Sequence, residues 1–234
     1  MTIKLPDINQ TFQHENDFYL SCSNQRINKI ISHYELFKKT LSVPGAIIEC
    51  GVFKGASLIR FATFRDIFSD PSAKKIIGFD SFTEYPEPNS SNDKAQKKAL
   101  VEASGKDCIS KRQLLGIFGA KGIDNVELIE GNIIKTVPDY VKKYPELRIS
   151  LLHLDVTVYE PTLVALENFY DRVLQGGIIL LNGYGKEGVE GETDAVDDFF
   201  ATEGAVGVSQ NCSIRRLPFA YSPCYIVKKD ILSI

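Results

Sequence analysis

Five short apolar runs, each rich in isoleucine, leucine and valine, constrain the fold of this 234-residue chain more than any other feature. They cover residues 46–50, 75–80, 125–130, 148–155 and 177–181. Continuous apolar runs are typical of parallel strands that are buried on both faces of a sheet. Helical patterns lie between them, at 57–68, 110–119, 137–144 and 161–175. This alternation predicts an α/β fold with a doubly wound, mostly parallel sheet and right-handed crossovers.

The two ends of the chain carry different patterns. Residues 1–22 are aperiodic, and an apolar stripe over 27–41 then predicts a helix that packs against the following core. A helical pattern at 193–201 is followed by two strand-like runs at 207–217 and 220–228. Their close succession predicts an antiparallel hairpin at the end of the sheet.

The chain contains no linker, repeat or low-complexity tract that would divide it. We therefore expect a single domain over 1–234, made of an N-terminal arm and helix (1–44) and an α/β core (45–234). One long irregular stretch, 81–93, is rich in proline, asparagine and serine. A loop of that length in a compact fold is usually functional or mobile.

Charge and cysteine content exclude several classes of function. A formal net charge of −3 and a sequence pI near 5.7 lack the basic surface that binds nucleic acid or an anionic membrane. No apolar stretch approaches the roughly 20 residues of a membrane span, and the N-terminus has no signal-peptide pattern. Five widely spaced cysteines, an odd number, predict reduced thiols and a cytoplasmic protein. We expect a small-molecule partner, with no nucleic acid and no membrane.

The first two predicted strands end in residues suited to a nucleoside-containing ligand, and ligands of parallel sheets bind beyond the carboxyl ends of the strands. The first strand runs into E-C-G-V-F-K-G-A-S, where Gly51 and Gly55 let the backbone approach a ligand closely. The following helix presents free N–H groups and the Ser57 hydroxyl to a carboxylate or phosphate. The second strand ends at Asp80, from which a carboxylate can accept hydrogen bonds from both hydroxyls of a ribose.

A glycine turn with a downstream acid is shared by nicotinamide binders and S-adenosylmethionine binders. The dinucleotide pattern G-x-G-x-x-G is absent, and the order is E-x-G-x-x-x-G-x-S. Glu49 in the first turn would repel a pyrophosphate but suits the α-ammonium of a methionine group. These observations favour S-adenosylmethionine and leave a nicotinamide-dependent oxidoreductase as the alternative.

Polar residues also follow the third and fourth predicted strands. Gly131 and Asn132 follow the third, and the fourth ends in His153-Leu154-Asp155. Strand alternation places His153 on the same face as Asp155, which makes it a candidate base. A histidine flanked by leucines on a buried strand is more often a hydrogen-bonded core residue.

Six segments resemble the successive motifs of the macrocin O-methyltransferase family, from about residue 47 to residue 200. They read E-C-G-V-F-K-G-A-S, G-F-D-S-F-T-E-Y-P-E-P, E-L-I-E-G-N, L-L-H-L-D-V-T-V-Y-E-P-T, G-G-I-I-L-L-N-G-Y-G and A-V-D-D-F-F. The family shares its fold with catechol O-methyltransferase. The resemblance implies a Rossmann-like class I methyltransferase fold, whose seven-stranded sheet ends in an antiparallel hairpin. It also implies S-adenosylmethionine-dependent transfer to a sugar hydroxyl of a natural product.

The resemblance implies roles for residues at the ends of four strands. The implied cofactor-binding set is Glu49, Gly51, Phe53, Ser57, Asp80, Ser81, Gly131, Asn132 and Asp155. Glu49 and Gly51 correspond to positions beside the methionine amino group and sulfur, and Ser57 to a position on its carboxylate. Asp80 falls on the ribose and the pair after the third strand falls near the adenine. Asp155 falls at the site of methyl transfer.

Two positions depart from the family pattern. The second acid of the fourth-strand motif, which the family is proposed to use as general base, is Thr157 here. The paired acids after the fifth strand, which with the first acid hold magnesium, are Asn182 and Gly183 here. Because a hard cation needs several oxygen ligands, we expect no metal site and no dependence on magnesium. Asp155 and His153 are then the candidate catalytic residues.

Three functions follow in order of preference. The first is an S-adenosylmethionine-dependent O-methyltransferase that acts on a small sugar-like or natural-product hydroxyl. The second is a nicotinamide-dependent oxidoreductase. The third is an S-adenosylmethionine-binding protein without catalytic activity, which the two missing acids suggest. The sequence leaves the acceptor and the formation of a homo-oligomer open.

Overall fold

The fold is described from a computed structural model, which describes residues 3–83, 94, 98, 101–102, 105–203 and 213–229. Most of the expected 81–93 loop, and residues 207–212 of the expected hairpin, lie outside the described residues. Whether the chain forms one domain over 1–234 stays a prediction. None of the described helices is long and apolar enough to cross a membrane.

Seven strands form one sheet in the order β3-β2-β1-β4-β5-β7-β6. The strands are β1 (Ala46–Cys50), β2 (Ile76–Asp80), β3 (Val126–Glu130), β4 (Ile149–Leu154), β5 (Val173–Leu181), β6 (Arg215–Arg216) and β7 (Cys224–Val227). The first five strands are parallel, and β7 runs antiparallel between β5 and β6. The predicted α/β class is confirmed, with its mostly parallel seven-stranded sheet and C-terminal antiparallel strands. The strand order reverses between β1 and β4, which is where ligands of such sheets bind.

Seven α-helices surround the sheet within the described ranges. They are α1 (Thr11–Ser21), α2 (Asn24–Lys39), α3 (Ala56–Phe68), α4 (Lys111–Ala120), α5 (Ile133–Lys143), α6 (Tyr159–Phe169) and α7 (Glu190–Glu203). Short 3-10 turns cover Ile8–Gln10 and Tyr170–Arg172. Helix α4 begins with a capping box, in which Ser110 and Gln113 satisfy each other's backbone N–H groups.

The structure corrects several boundaries. Helix α1 lies in a segment that the sequence showed as aperiodic, and none of its residues is buried. Helix α5 begins at Ile133 because the Asn132 side chain accepts a hydrogen bond from the Ile134 N–H and caps the helix. Helix α6 ends at Phe169, before the predicted end, because β5 already starts at Val173.

Each face of the sheet is covered by its own apolar cluster. Helices α5, α6 and α7 pack on one face, with Val137, Leu166 and Phe199 in the cluster. Helices α2, α3 and α4 pack on the other, where Phe37 and Phe61 are fully buried. All residues of β1 and β4 are buried, as expected for central strands between two helical layers.

The apolar stripe predicted for α2 is only partly the face that packs. Ile31 is 45% exposed, whereas His33 and Ser32 are fully buried together with Leu36. The packed face therefore follows the series Lys29, His33, Leu36 at helical spacing, with polar residues at its N-terminal end. This brings polar side chains of α2 to the carboxyl ends of β1 and β4.

Candidate active site

The centre of the site is a fully buried carboxylate at the end of β1. Glu49 pairs in register with Gly78 of β2 and His153 of β4. The Ser57 hydroxyl donates to Glu49 Oε1 at 2.6 Å, while Oε2 has no hydrogen-bond partner in the part of the chain that the structure describes. Ser57 is thus engaged by Glu49, and one carboxylate oxygen is left to accept a hydrogen bond from a ligand.

The loop after β1 depends on glycine at two positions. Gly51 has φ +90°, and a Cβ there would lie 2.3 Å from the carbonyl oxygen of Asp155. Gly55 has φ +80° and stands at the N-cap of α3 without any capping side chain. The N–H groups in the first turn of α3 are therefore available to bind an anion, because no capping side chain competes for them.

Asp80 braces this loop from the end of β2. Its Oδ2 accepts hydrogen bonds from the backbone N–H groups of Val52 and Phe53, at 2.7 and 2.9 Å. Its Oδ1 accepts from the Phe82 N–H at 2.8 Å and from the Ser81 hydroxyl at 3.3 Å. Since Oδ2 already accepts two hydrogen bonds, a ribose hydroxyl would meet Oδ1, where the Ser81 contact is the longest of the four.

The residues after β3, Gly131 and Asn132, lie beside Asp80 and form hydrogen bonds with nearby backbone groups. The Gly131 N–H donates to the Asp80 carbonyl at 2.9 Å. Gly131 has φ +141°, and a Cβ there would lie 2.8 Å from Thr136 Cγ2. The Asn132 side chain accepts from the Ile134 N–H at 3.0 Å. Asn132 therefore acts as a helix cap, and its predicted contact with adenine stays a prediction.

His153 lies in the buried interior between the two carboxylates of the site. Its Nδ1 is 3.4 Å from Glu49 Oε2, and its Nε2 is 3.9 Å from Asp155 Oδ2. Neither nitrogen has a hydrogen-bond partner within the described ranges, and the ring is fully buried against Phe61 and His33. The predicted shared face of His153 and Asp155 agrees with this arrangement.

His33 of α2 is a buried neighbour that the sequence did not single out. Its ring stacks on Phe61 at 4.8 Å, and Arg60 contacts its Nδ1 at 3.2 Å. Burial, reinforced by the nearby His153, Lys29 and Arg60, lowers the pKa of His33 well below its usual value. His33 is therefore a neutral ring that anchors α2 over the site.

Asp155 follows β4 and is surrounded by donors. Lys29 Nζ lies 3.2 Å from Oδ2, and the Asn182 amide donates to Oδ1 at 2.6 Å. Burial acts to raise the pKa of Asp155, but Lys29, His153 and Lys186 outweigh it and hold the pKa below its usual value. The carboxylate is 20% exposed, so it faces both the interior and the cleft.

Glu192 of α7 brings a further carboxylate to the end of β5. Its Oε1 accepts from the N–H groups of Gly183 and Tyr184, at 2.8 and 3.1 Å, and no described residue donates a hydrogen bond to its Oε2. A Cβ at Gly183 would lie 2.7 Å from Glu192 Oε2. Burial raises the pKa of Glu192 to about 8, with Asp155 adding to the rise and the backbone donors opposing it. Glu192 thus fills the space next to position 183, where the resemblance implies an acid.

The predicted residues fall into two connected groups. One links Glu49, Ser57, His153 and Asp155, and the other links Phe53, Ser81 and Gly131 to Asp80. Prediction from the sequence missed Lys29 and His33 as members of the site, whereas Glu192 is one of four acids after the fifth strand, with Glu187, Glu190 and Asp194, that the sequence offers as a possible extra acid there. The helical spacing of Lys29, His33 and Leu36 was the available signal for the two missed residues.

The residues around Asp155 do not fit a magnesium ion. Within the part of the chain that the structure describes, no group of three or more histidine, cysteine or acidic side chains could hold a metal. The Asn182 side-chain amide donates to Asp155 Oδ1, and the Lys29 ammonium donates to Asp155 Oδ2. Magnesium needs oxygen ligands in an octahedral arrangement. The nearby Thr157 has φ +62°, so its backbone departs from the usual regions for a threonine.

Solved structures similar to this chain support the assignment of the fold. A calicheamicin methyltransferase, CalS11, superposes with a TM-score of 0.77 at 25% identity, over 96% of this chain and 88% of that chain. The O-methyltransferase NovP superposes with a TM-score of 0.68 at 20% identity, over 87% of this chain and 81% of that chain. The second likeness supports the fold alone. The fold is the Rossmann-like class I methyltransferase fold.

Sequence comparisons identify the family. A tetracenomycin 4'-O-methyltransferase from Streptomyces olivaceus, which acts on a dimethoxyrhamnosyl derivative, is 29% identical over 174 residues. The alignment covers 73% of this chain and 62% of the relative, so the chain spans less than two thirds of that relative's length. The family model of macrocin-O-methyltransferase (TylF) matches residues 19–207. The match includes only the end of α1, from Tyr19, but all of α2, and so extends beyond the 47–200 region of the resemblance. The chain belongs to the macrocin-O-methyltransferase family.

Proposed function

We propose that the protein is an S-adenosylmethionine-dependent O-methyltransferase that acts on a sugar hydroxyl of a small molecule. The observation that carries the cofactor assignment is the buried Glu49 carboxylate, whose Oε2 has no hydrogen-bond partner among the described residues. A buried acceptor of this kind fits the α-ammonium of the methionine group and would repel a pyrophosphate. The same feature counts against the nicotinamide alternative.

Other residues of the site support this assignment. The uncapped first turn of α3 can bind the carboxylate of the methionine group, and Gly51 keeps the loop free of a Cβ near Asp155. Asp80 holds the loop in place through two backbone N–H groups and offers Oδ1 to the ribose. The residues of this site therefore fit the cofactor.

The acceptor class rests on the relatives. The tetracenomycin enzyme acts on a rhamnosyl group, and the apo CalS11 structure is of a TDP-rhamnose 3'-O-methyltransferase. The latter is 26% identical, with a TM-score of 0.67 over 96% of this chain and 89% of that chain. We infer a 6-deoxyhexose hydroxyl, carried either by a nucleotide or by a natural product.

The chemistry requires little more than positioning and a proton acceptor. S-adenosylmethionine, when bound, supplies an electrophilic methyl group, and the transfer forms a C–O bond, breaks a C–S bond and releases the hydroxyl proton. Asp155 is partly exposed at the cleft and accepts that proton. A carboxylate with a lowered pKa suffices, because the acceptor oxygen becomes strongly acidic as it gains the methyl group. His153 lies between Glu49 and Asp155, 3.4 and 3.9 Å from their carboxylate oxygens, where it can share charge with either. Alignment of the reacting atoms supplies much of the acceleration.

Calorimetric titration with S-adenosylhomocysteine tests the cofactor assignment. The wild type should bind, and Glu49→Ala should weaken binding about 100-fold, or about 2.7 kcal/mol, since a charged contact is lost. Glu35→Ala is the matched control, because Glu35 lies on α2 and pairs with Lys38 away from the site. No binding to correctly folded wild type would refute the proposal, and stabilisation by NADH alone would favour the oxidoreductase.

Methylation of TDP-rhamnose and of rhamnosylated aromatic polyketides tests the transfer itself. We expect methylated product from at least one of these acceptors, detected by mass spectrometry together with S-adenosylhomocysteine. Tight cofactor binding without turnover on this panel or on other sugars and phenols would instead support the inactive S-adenosylmethionine-binding protein.

The setting of the reaction also remains a proposal. Cys22, Cys50, Cys108 and Cys224 are free thiols, which suits the reducing cytoplasm. Self-association is still open, and α1 offers a surface for it, since Phe12 and Leu20 are 75% and 88% exposed. Light scattering of the wild type and of a Phe12→Ser, Leu20→Ser variant would measure its mass in solution.

A further inference from the structure

Asp155 forms a salt bridge with the Lys29 ammonium at the position where the family resemblance implies a metal ion. Lys29 Nζ lies 3.2 Å from Asp155 Oδ2, and the two side chains are 26% and 20% exposed. The other carboxylate oxygen accepts from Asn182 at 2.6 Å. Both oxygens that could ligate a cation are therefore already engaged by N–H donors.

The position of Lys29 is built into the packing of α2. One helical turn after Lys29, His33 is fully buried and stacked on Phe61. Leu36 and Phe37, another turn along, are fully buried in the apolar cluster on that face of the sheet. A helix anchored in this way holds the lysine stem over the end of β4, and the ammonium is not a loose surface charge.

The space for a second acid after β5 is also taken. A Cβ at Gly183 would lie 2.5 Å from Val189 Cγ1 and 2.7 Å from Glu192 Oε2. Glu192 directs its Oε1 to two backbone N–H groups. An aspartate at 183 would therefore have to displace the side chains of Val189 and Glu192 from their present positions.

We propose that the Lys29 ammonium is the resident cation of this site, and that it neutralises Asp155 in place of a divalent metal. An ammonium has three N–H donors, and Asp155 is the acceptor found for Lys29 among the described residues. The remaining donors would then be available to a bound acceptor oxygen, where they would stabilise negative charge that develops on it. This second role rests on the proposed methyltransferase function, whereas the occupation of the cation position does not.

Binding of Mn²⁺, followed by electron paramagnetic resonance, tests the occupation directly. The wild type should bind Mn²⁺ weakly, and Asn182→Asp should remain weak because Lys29 still opposes the ion. Adding Lys29→Met to Asn182→Asp should tighten binding by about tenfold or more, because a unit positive charge near the ion is removed. Lys29→Arg in the same background should leave binding weak, since the charge is retained.

Lys38→Met in the Asn182→Asp background is the matched control, because Lys38 lies on the same helix and pairs with Glu35. It should leave Mn²⁺ affinity unchanged. Equal affinity in Asn182→Asp and in its Lys29→Met derivative would overturn the proposal, as would tight binding by the wild type. If Lys29→Met fails to fold, Lys29→Gln takes its place. Mn²⁺ should also leave the melting temperature of the wild type unchanged. A rise would contradict the proposal that the Lys29 ammonium occupies the cation position.

The experiment needs neither cofactor nor acceptor. Absence of S-adenosylhomocysteine binding would therefore refute the proposed function and leave the result for Lys29 standing. Conversely, methyltransferase activity together with a Mn²⁺ affinity that does not change when Lys29 is replaced would support the proposed function and refute the inference about Lys29.

Discussion

The two edges of the site are built in opposite ways. One is the proposed cofactor edge, formed by Glu49, Ser57, Asp80 and the 51–55 loop, where the contacts join segments that are close in sequence. Ser57 is 8 residues from Glu49, and Asp80 is 28 residues from Val52. The other is the proposed acceptor edge, formed by Lys29, Asp155, Asn182, Gly183 and Glu192, where the contact from Lys29 to Asp155 spans 126 residues.

The edges also differ in what satisfies their carboxylates. Asp80 is held by backbone N–H groups, so its role follows from the path of the main chain. Asp155 is held by the side chains of Lys29 and Asn182. A single substitution can therefore change the chemistry of the acceptor edge without disturbing the loop that frames the cofactor edge.

The largest expected effect is at Glu192, and it concerns stability. Its pKa of about 8 exceeds the ordinary value of 4.5, so the native state holds a proton that the unfolded chain releases. The stabilising contribution of Glu192 should therefore be fully present below about pH 4.5 and be lost progressively, by about a few kcal/mol, as the pH rises to about 8. Glu192→Gln should remove this slope and keep the hydrogen bonds from Gly183 and Tyr184.

Urea unfolding across this pH range measures the slope for both proteins. Glu187→Gln, an exposed change shortly before α7, is the control and should retain the wild-type slope. Identical slopes for the wild type and Glu192→Gln would contradict the assignment of a protonated carboxyl to the acceptor edge.

At the cofactor edge, Asp80→Ala should reduce both stability and cofactor binding. The N–H groups of Val52, Phe53 and Phe82 lose their acceptor, at a cost of about 3 kcal/mol in free energy of unfolding. Ser81→Ala removes only the 3.3 Å contact and should change stability by less than about 0.5 kcal/mol. Weaker S-adenosylhomocysteine binding with unchanged stability would show that Asp80 contacts ribose without bracing the loop.

At the acceptor edge, any transferase activity should persist in EDTA and gain little from added magnesium. Lys29→Met should lower kcat by about 10- to 100-fold, because a donor to the acceptor oxygen is lost, and Lys29→Arg should recover part of the rate. Lys38→Met serves as the control. Activity that is lost in EDTA and restored by magnesium would show that an acid completes a metal site after all.

The smallest expected effect separates a helix cap from a ligand contact. Asn132→Ala should destabilise the protein by about 1 kcal/mol, and Asn132→Asp should restore most of this, because either side chain can cap α5. Binding of S-adenosylhomocysteine should change little in both variants. A large loss of affinity with retained stability would instead place the Asn132 side chain at the adenine.

Prediction from the sequence succeeded where the signal was local. The five apolar runs predicted the parallel strands to within a few residues, and only the start of β5 was missed, because Gly176 and Gly177 interrupt its apolar pattern. The short β6 and β7 agree with the expected antiparallel pair, although β7 lies next to β5. Such a placement depends on which edge of the sheet is free, and no local pattern encodes it.

The sequence by itself determined the α/β class, the glycine turn and the acids at the strand ends, because these depend on hydrophobic runs and on neighbours a few residues apart. It also marked Thr157, Asn182 and Gly183 as departures from the family pattern. Only the tertiary structure decided what replaced the missing acids. It placed Lys29 on Asp155 and Glu192 beside Gly183, because helix packing and not sequence distance brings these charges together.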